Sequence, residues 1–150
     1  MSDLKDRLRT DLTAAMKARD SLRASTLRMT LTEVTNAEVA GTSARELSDA
    51  EVLEVLDREA KKRREAADAF EQAGRGELAG KERAEGEIIA EYLPAQLSDE
   101  ELSAIVGSAV DEVGASGMKD MGKVMKLVQP QVKGRAEGGR VAAAVRSRLG

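Results

Sequence analysis

Leu4, Leu8, Leu12 and Met16 return every fourth residue through a run otherwise dominated by charge. That spacing predicts an amphipathic helix opening at Ser2 or Asp3. After a charged link around Arg19-Asp20, a second stripe of Ala24, Leu27, Leu31, Val34 and Ala37 predicts another helix, ended by Gly41 as a left-handed cap. Residues 41–47 read as a loop. Ser48-Asp49-Ala50-Glu51 has the form of a capping box, in which the serine accepts from a helix amide and the glutamate reaches back. It opens a long helix over 48–72 carrying Val52, Val55, Leu56, Ala60, Arg63, Ala67 and Phe70. A fourth helix over 76–93 places Leu78, Ile88, Ile89, Tyr92 and Leu93 on its apolar side, and Pro94 stops it.

The pattern then resets. Ser98-Asp99-Glu100-Glu101 is a second capping box, so residues 94–97 form a turn between two units. Leu102, Ile105, Val106, Val110 and Val113 make the next stripe, and residues 114–117 are a loop. Asp120 is placed to cap a helix with Val124, Leu127 and Val128 inward; Pro130 either kinks that helix or ends it. A last helix begins near Glu137 and buries Val141, Ala144, Val145 and Leu149. No hairpin signal and no fixed repeat interrupts the helical periods. The expectation is an all-α protein: an N-terminal lobe of about four helices over 1–94 and a C-terminal three-helix bundle over 95–150.

Composition narrows what such a scaffold can do. The 150 residues hold no cysteine, no histidine, one Phe and one Tyr, so the core is aliphatic and there is no thiolate or imidazole for a metal or a histidine triad. No cofactor is expected. No apolar run approaches the roughly 18 residues of a membrane span, and the start lacks a signal-peptide core, which reads as a cytoplasmic protein with no membrane partner. Carboxylate pairs such as Glu100-Glu101 and Asp111-Glu112 sit on polar faces or in first turns, and no nucleophile stands with a base. The chain does not read as a self-sufficient enzyme.

Charge is divided unevenly. Residues 1–112 hold 16 basic and 25 acidic side chains, a net of −9, while residues 113–150 hold 8 and 2, a net of +6; together these give the chain's −3. The basic groups of the tail cluster among helix breakers in MKDMGKVMKLVQPQVKGRAEGG, residues 118–139. Lys119, Lys123 and Lys126 are spaced to share one helix face, either as an ordinary solvated face or as a phosphate-binding one. Gly122-Lys123 lacks the context of a P-loop. Gly134 serves as a helix stop, and the tight turn can present Lys133 and Arg135 outward. The run Lys61–Arg64 reads mainly as a solvated face with i,i+4 partners. Phe70 and Tyr92 belong to the core, far from the basic tail. Without aromatic rings to stack bases, the tail suits the backbone and shape of double-helical RNA better than single strands. No helix-turn-helix signature points to DNA.

Glu91-Tyr92-Leu93-Pro94-Ala95-Gln96-Leu97-Ser98, Glu100-Glu101-Leu102, Asp120-Met121-Gly122-Lys123-Val124-Met125 and Val132-Lys133-Gly134-Arg135-Ala136-Glu137-Gly138, in this order, resemble the YqeY family over essentially the whole chain. That family is similar to the C-terminal tail domain of the B subunit of the glutamine-dependent aspartyl/glutamyl-tRNA amidotransferase. The resemblance implies an all-α fold ending in a three-helix bundle, and a tail that meets the elbow of tRNA. Carried onto this chain, its glycine-lysine stretch falls on Gly122 and Lys123, and its turn on Lys133, Gly134 and Arg135. Lys126 and Glu137 depart from the family pattern, which more often has a small residue and an aspartate there. With Lys119, Lys126 and Arg140 these residues make the expected RNA-binding set: Lys119, Gly122, Lys123, Lys126, Lys133, Gly134, Arg135 and Arg140.

The resemblance implies a tRNA-binding or amidotransferase-associated accessory module, with tRNA and possibly amidotransferase subunits as partners. A first alternative is a component of a carbon–nitrogen ligase using glutamine as amido-N-donor, active only with partner subunits. A second is a helical protein–protein adaptor working through helix 48–72.

Overall fold

A computed structural model describes residues 2–150 and is all-α. Two compact units divide the chain, Met1–Leu93 and Pro94–Gly150.

The first unit holds α1 (Asp3–Lys17), α2 (Ser21–Val39), α3 (Asp49–Gln72) and α4 (Gly76–Ala90). Ser2 caps α1 by accepting from the Lys5 amide, and Asp20 caps α2 by accepting from Arg23. The capping box at Ser48 forms as its sequence requires: Ser48 Oγ accepts from the Glu51 amide, and Glu51 accepts from the Ser48 amide. Leu8, Leu27, Val34, Val52, Leu56 and Ile89 are the centre of the core. Thr26 and Thr30 are buried in α2, where their hydroxyls donate to Leu22 and Thr26 carbonyls at 2.8 Å each and so need no outside partner.

Five expectations shift here: Leu78 is 39% exposed on α4, Phe70 is only half-buried and outside the core cluster, and three more follow. Met16 is 55% exposed and Ala15 is buried in its place. A strict four-residue spacing advances about 40° per step around a 3.6-residue helix, so the stripe from Leu4 has drifted off the core by Met16. Gly41 is not left-handed: α2 ends at Val39, capped by Ala40 in right-handed helical conformation, and the positive-φ glycines are Gly74, Gly114 and Gly134. Arg63 leaves the solvated run Lys61–Arg64 and turns inward from α3. Its Nε lies 3.2 Å from Glu85 Oε2 and 3.8 Å from Glu82 Oε2 on α4. The long α3–α4 hairpin is therefore pinned by charge as well as by Ala60, Ala67 and Ala79.

The second unit holds α5 (Asp99–Val113), a 3₁₀ turn (Met118–Asp120), α6 (Met121–Val132) and α7 (Gly138–Leu149). Its core is Leu97, Leu102, Val106, Ala109, Val124, Val128, Val132, Val141 and Val145, with Met121 and Met125 packed against it. The Ser98 capping box forms, and Gly114 ends α5 with φ +66°, the left-handed conformation that glycine adopts without steric cost. Arg140 meets Asp99, and the Arg148 guanidinium lies against Gly107, where a side chain would displace it. The offset of 41 residues is the same in both pairs, so α5 and α7 run parallel. Pro130 neither ends α6 nor separates two helices, for α6 runs through it to Val132. Asp120 does not cap α6; its carboxylate accepts from the Ser116 amide at 3.0 Å and closes the loop before it.

Candidate nucleic-acid interface

Val124, Val128 and Val132 recur every fourth residue and bury one side of α6. The opposite side follows from that commitment. Lys123, Lys126, Pro130 and Lys133 are exposed and spaced by three or four residues, so they line one face along about 15 Å of helix. Lys119, exposed on the 3₁₀ turn, leads into this line, and exposed Gly122 lies beside it with no side chain to crowd an approaching group. Lys119, Lys123 and Lys126 make no ion pair among the described residues. Lys119 and Lys123 act on Asp120, whose carboxyl is held below its ordinary range by the Ser116 amide and then by their charges. Its charge stays in place at neutral pH and offsets only part of theirs.

Lys133, Gly134, Arg135 and Arg140 form a different group. Lys133 caps α6 by donating its amide to the Gln129 carbonyl at 3.0 Å, and Gly134 turns the chain with φ +76°. The amides of Arg135 and Ala136 both donate to the Val132 carbonyl, at 2.8 and 3.1 Å. The turn's own carbonyls face the segment entering the bundle: the Leu97 amide donates to Arg135 O at 2.7 Å, and Gln96 Nε2 donates to Gly134 O at 3.2 Å. Arg140 Nη2 donates to Leu97 O at 3.0 Å and to Asp99 Oδ1 at 2.9 Å. Arg135 sits near Glu101, whose carboxyl is held low by the Ser98 amide, then by the Ser98 hydroxyl and, last, by Arg135 itself.

So the eight expected residues fall into an open lysine line, with Gly122 beside it, and a braced turn. Gln96, Leu97 and Asp99 were not among them, and no local sequence signal marks their role, since the bonds join positions 38 to 43 residues apart. The arrangement supplies cations on an exposed helix face, chemistry that binds anions. Among the described residues no cluster of three or more acidic side chains is arranged to hold a metal ion. Among the described residues no helix is long and apolar enough to cross a membrane.

The molecule is thus an all-α protein whose C-terminal bundle carries a basic face. The chain belongs to the Yqey-like protein family, whose YqeY model matches residues 5–149. Over 111 residues it is 32% identical to a Clavispora lusitaniae protein named "Altered inheritance of mitochondria protein 41, mitochondrial", covering 73% of this chain and 64% of that relative's length. Over 93 residues it is 36% identical to the Schizosaccharomyces pombe "Uncharacterized protein C22F3.15", covering 61% of this chain and 73% of the relative.

Proposed function

We propose that the C-terminal bundle binds structured RNA, tRNA first among candidates, and that the protein is an accessory module of an amidotransferase-type assembly. The observation that carries this reading is the line Lys119, Lys123 and Lys126, exposed along one side of α6 and its lead-in turn without an ion pair among the described residues. Lysines balanced by local carboxylates have little to gain from a phosphate, whereas an open line gains affinity by releasing condensed counterions. With Phe70 and Tyr92 both in the N-terminal unit, the bundle has no aromatic ring for base stacking, which favours recognition of the RNA backbone and shape.

The test is tRNA binding across a salt series, beside a Lys119/Lys123/Lys126→Ala variant. Wild type should weaken steeply with salt. The triple variant should bind less well and lose roughly 0.7–0.9 in log–log slope for each phosphate contact removed, about 2–3 in all. Equal slopes for the two proteins would refute the lysine line as the contact. Participation in carbon–nitrogen ligation would need partner subunits supplying ATP and glutamine chemistry, and co-purification with amidotransferase subunits would support that extension. Association with a protein that withstands high salt and needs no RNA would favour the adaptor reading instead.

A further inference from the structure

The braced turn differs physically from the lysine line. A carbonyl oxygen repels a phosphate, so a turn that meets RNA must point its carbonyls elsewhere. Here the carbonyls of Gly134 and Arg135 are taken up by Gln96 Nε2 and the Leu97 amide. Leu97 is held in place from its other side, because its carbonyl accepts from Arg140 Nη2, which Asp99 Oδ1 also engages. The chain of contacts runs Asp99, Arg140, Leu97, Arg135, with Gln96 as a side brace. The bonds to the Gly134, Arg135 and Leu97 carbonyls each hold a backbone group, while Asp99 engages the half-buried Arg140 side chain, whose guanidinium is thus committed to two partners within the bundle.

We propose that residues 96–99 are a strap that shapes the Lys133-Gly134-Arg135 turn for an anionic partner, and that Arg140 is a positioning residue that tensions the strap without touching the RNA. The proposal rests on the RNA-binding reading for its ligand, though not for the strap itself. It separates two kinds of basic residue that sequence alone groups together. Lys123 acts by its charge, and Arg140 acts by its shape and reach.

Two variants distinguish these roles. Gln96→Ala removes a neutral brace that has no charge to give a phosphate. Arg140→Lys keeps the charge, but its amine ends short of the Nη2 position and loses the guanidinium geometry. Both should weaken tRNA binding, Arg140→Lys by roughly tenfold, as for loss of a charge-assisted hydrogen bond, with the salt slope unchanged. Lys123→Ala should lower the slope. Hydrogen exchange supplies a readout independent of RNA: the Leu97 amide should exchange faster in Arg140→Lys than in wild type.

If Arg140→Lys binds as wild type while Arg140→Ala loses slope, Arg140 is a direct phosphate contact and the positioning role is wrong. Unaltered exchange at Leu97 in Arg140→Lys would also overturn it. Should wild type bind no tRNA at low salt, the RNA reading fails on its own, and the exchange experiment alone still decides whether Arg140 holds the strap.

Discussion

In the N-terminal unit Lys5, Glu38, Glu59 and Glu85 lie beneath the surface, whereas the buried side chains of the C-terminal bundle are all Leu, Val or Ala. The paired side chains of Lys5 and Glu38 are each only 11% exposed, with Nζ 2.6 Å from Oε1, and Glu38 also accepts from the Leu47 amide to anchor the 41–47 loop. Burying such a pair costs desolvation that its attraction barely repays. The larger unit, with four helices, tolerates that cost and gains fixed positions for α1, α2 and the loop. The smaller bundle has less core with which to offset it. Its charges therefore stay outside the core.

The largest effect should come from breaking the buried pair. Glu38→Ala strands the Lys5 ammonium and should destabilise the N-terminal unit by about 3–5 kcal/mol, while the double variant Lys5→Met/Glu38→Leu should come within about 1 kcal/mol of wild type or exceed it. Urea unfolding followed by tyrosine emission reads this cleanly, because Tyr92 is the only tyrosine, tryptophan is absent, and Tyr92 belongs to the N-terminal unit. A double variant as damaged as the single one would mean that the pair adds net stability and the contrast between units is misjudged.

In the bundle the corresponding loss is purely one of packing. Leu102→Ala should cost about 2–5 kcal/mol, seen by circular dichroism. In a unit this small that is enough to unfold much of it, so tRNA binding should fall as well.

Acid should weaken the N-terminal unit through the same buried pair. Glu38 is held below its ordinary range first by the Lys5 hydrogen bond, and Glu51 is lowered to about 2, first by Arg45 and then by the Ser48 amide. A depressed folded pKa means that the unfolded chain binds more protons. The stabilisation is therefore complete above the ordinary carboxylate range near 4.3 and is lost as pH falls toward 2. The tyrosine-monitored midpoint should drop over that window, and Lys5→Met/Glu38→Leu should flatten the drop. An unchanged acid limb in the double variant would remove Glu38 as its source.

The smallest effect concerns Arg19, the one non-glycine residue with positive φ (59°) among those described. Arg19→Gly should relieve left-handed strain and raise stability by up to about 1 kcal/mol, partly offset by the freedom glycine adds to the unfolded chain. A loss in thermal midpoint would show that Arg19 contributes contacts beyond its backbone.

Local chemistry made much of this fold legible. Ser48 and Ser98 announced their helices because a capping box is complete within four residues, and Gly134 announced its turn because few other residues accept that φ. The lysine line was readable for the same reason, as period alone puts Lys123 and Lys126 opposite Val124 and Val128. What could not be read depends on distant partners. Arg63 falls on the inward stripe of α3 by period, but its partner stays hidden until α4 brings Glu85 to it, and Arg140 looks like one more cation until the fold delivers Leu97 and Asp99.

The strap also sets an order of events as the chain folds. Joining Gln96 to Gly134 closes a loop of 38 residues, an entropic cost of about 3 kcal/mol that is met only after α5 and α6 have drawn the ends together. Arg140, which fixes the strap, follows the turn in the chain. The turn therefore takes its braced shape only after α7, which carries Arg140, has packed beside α5.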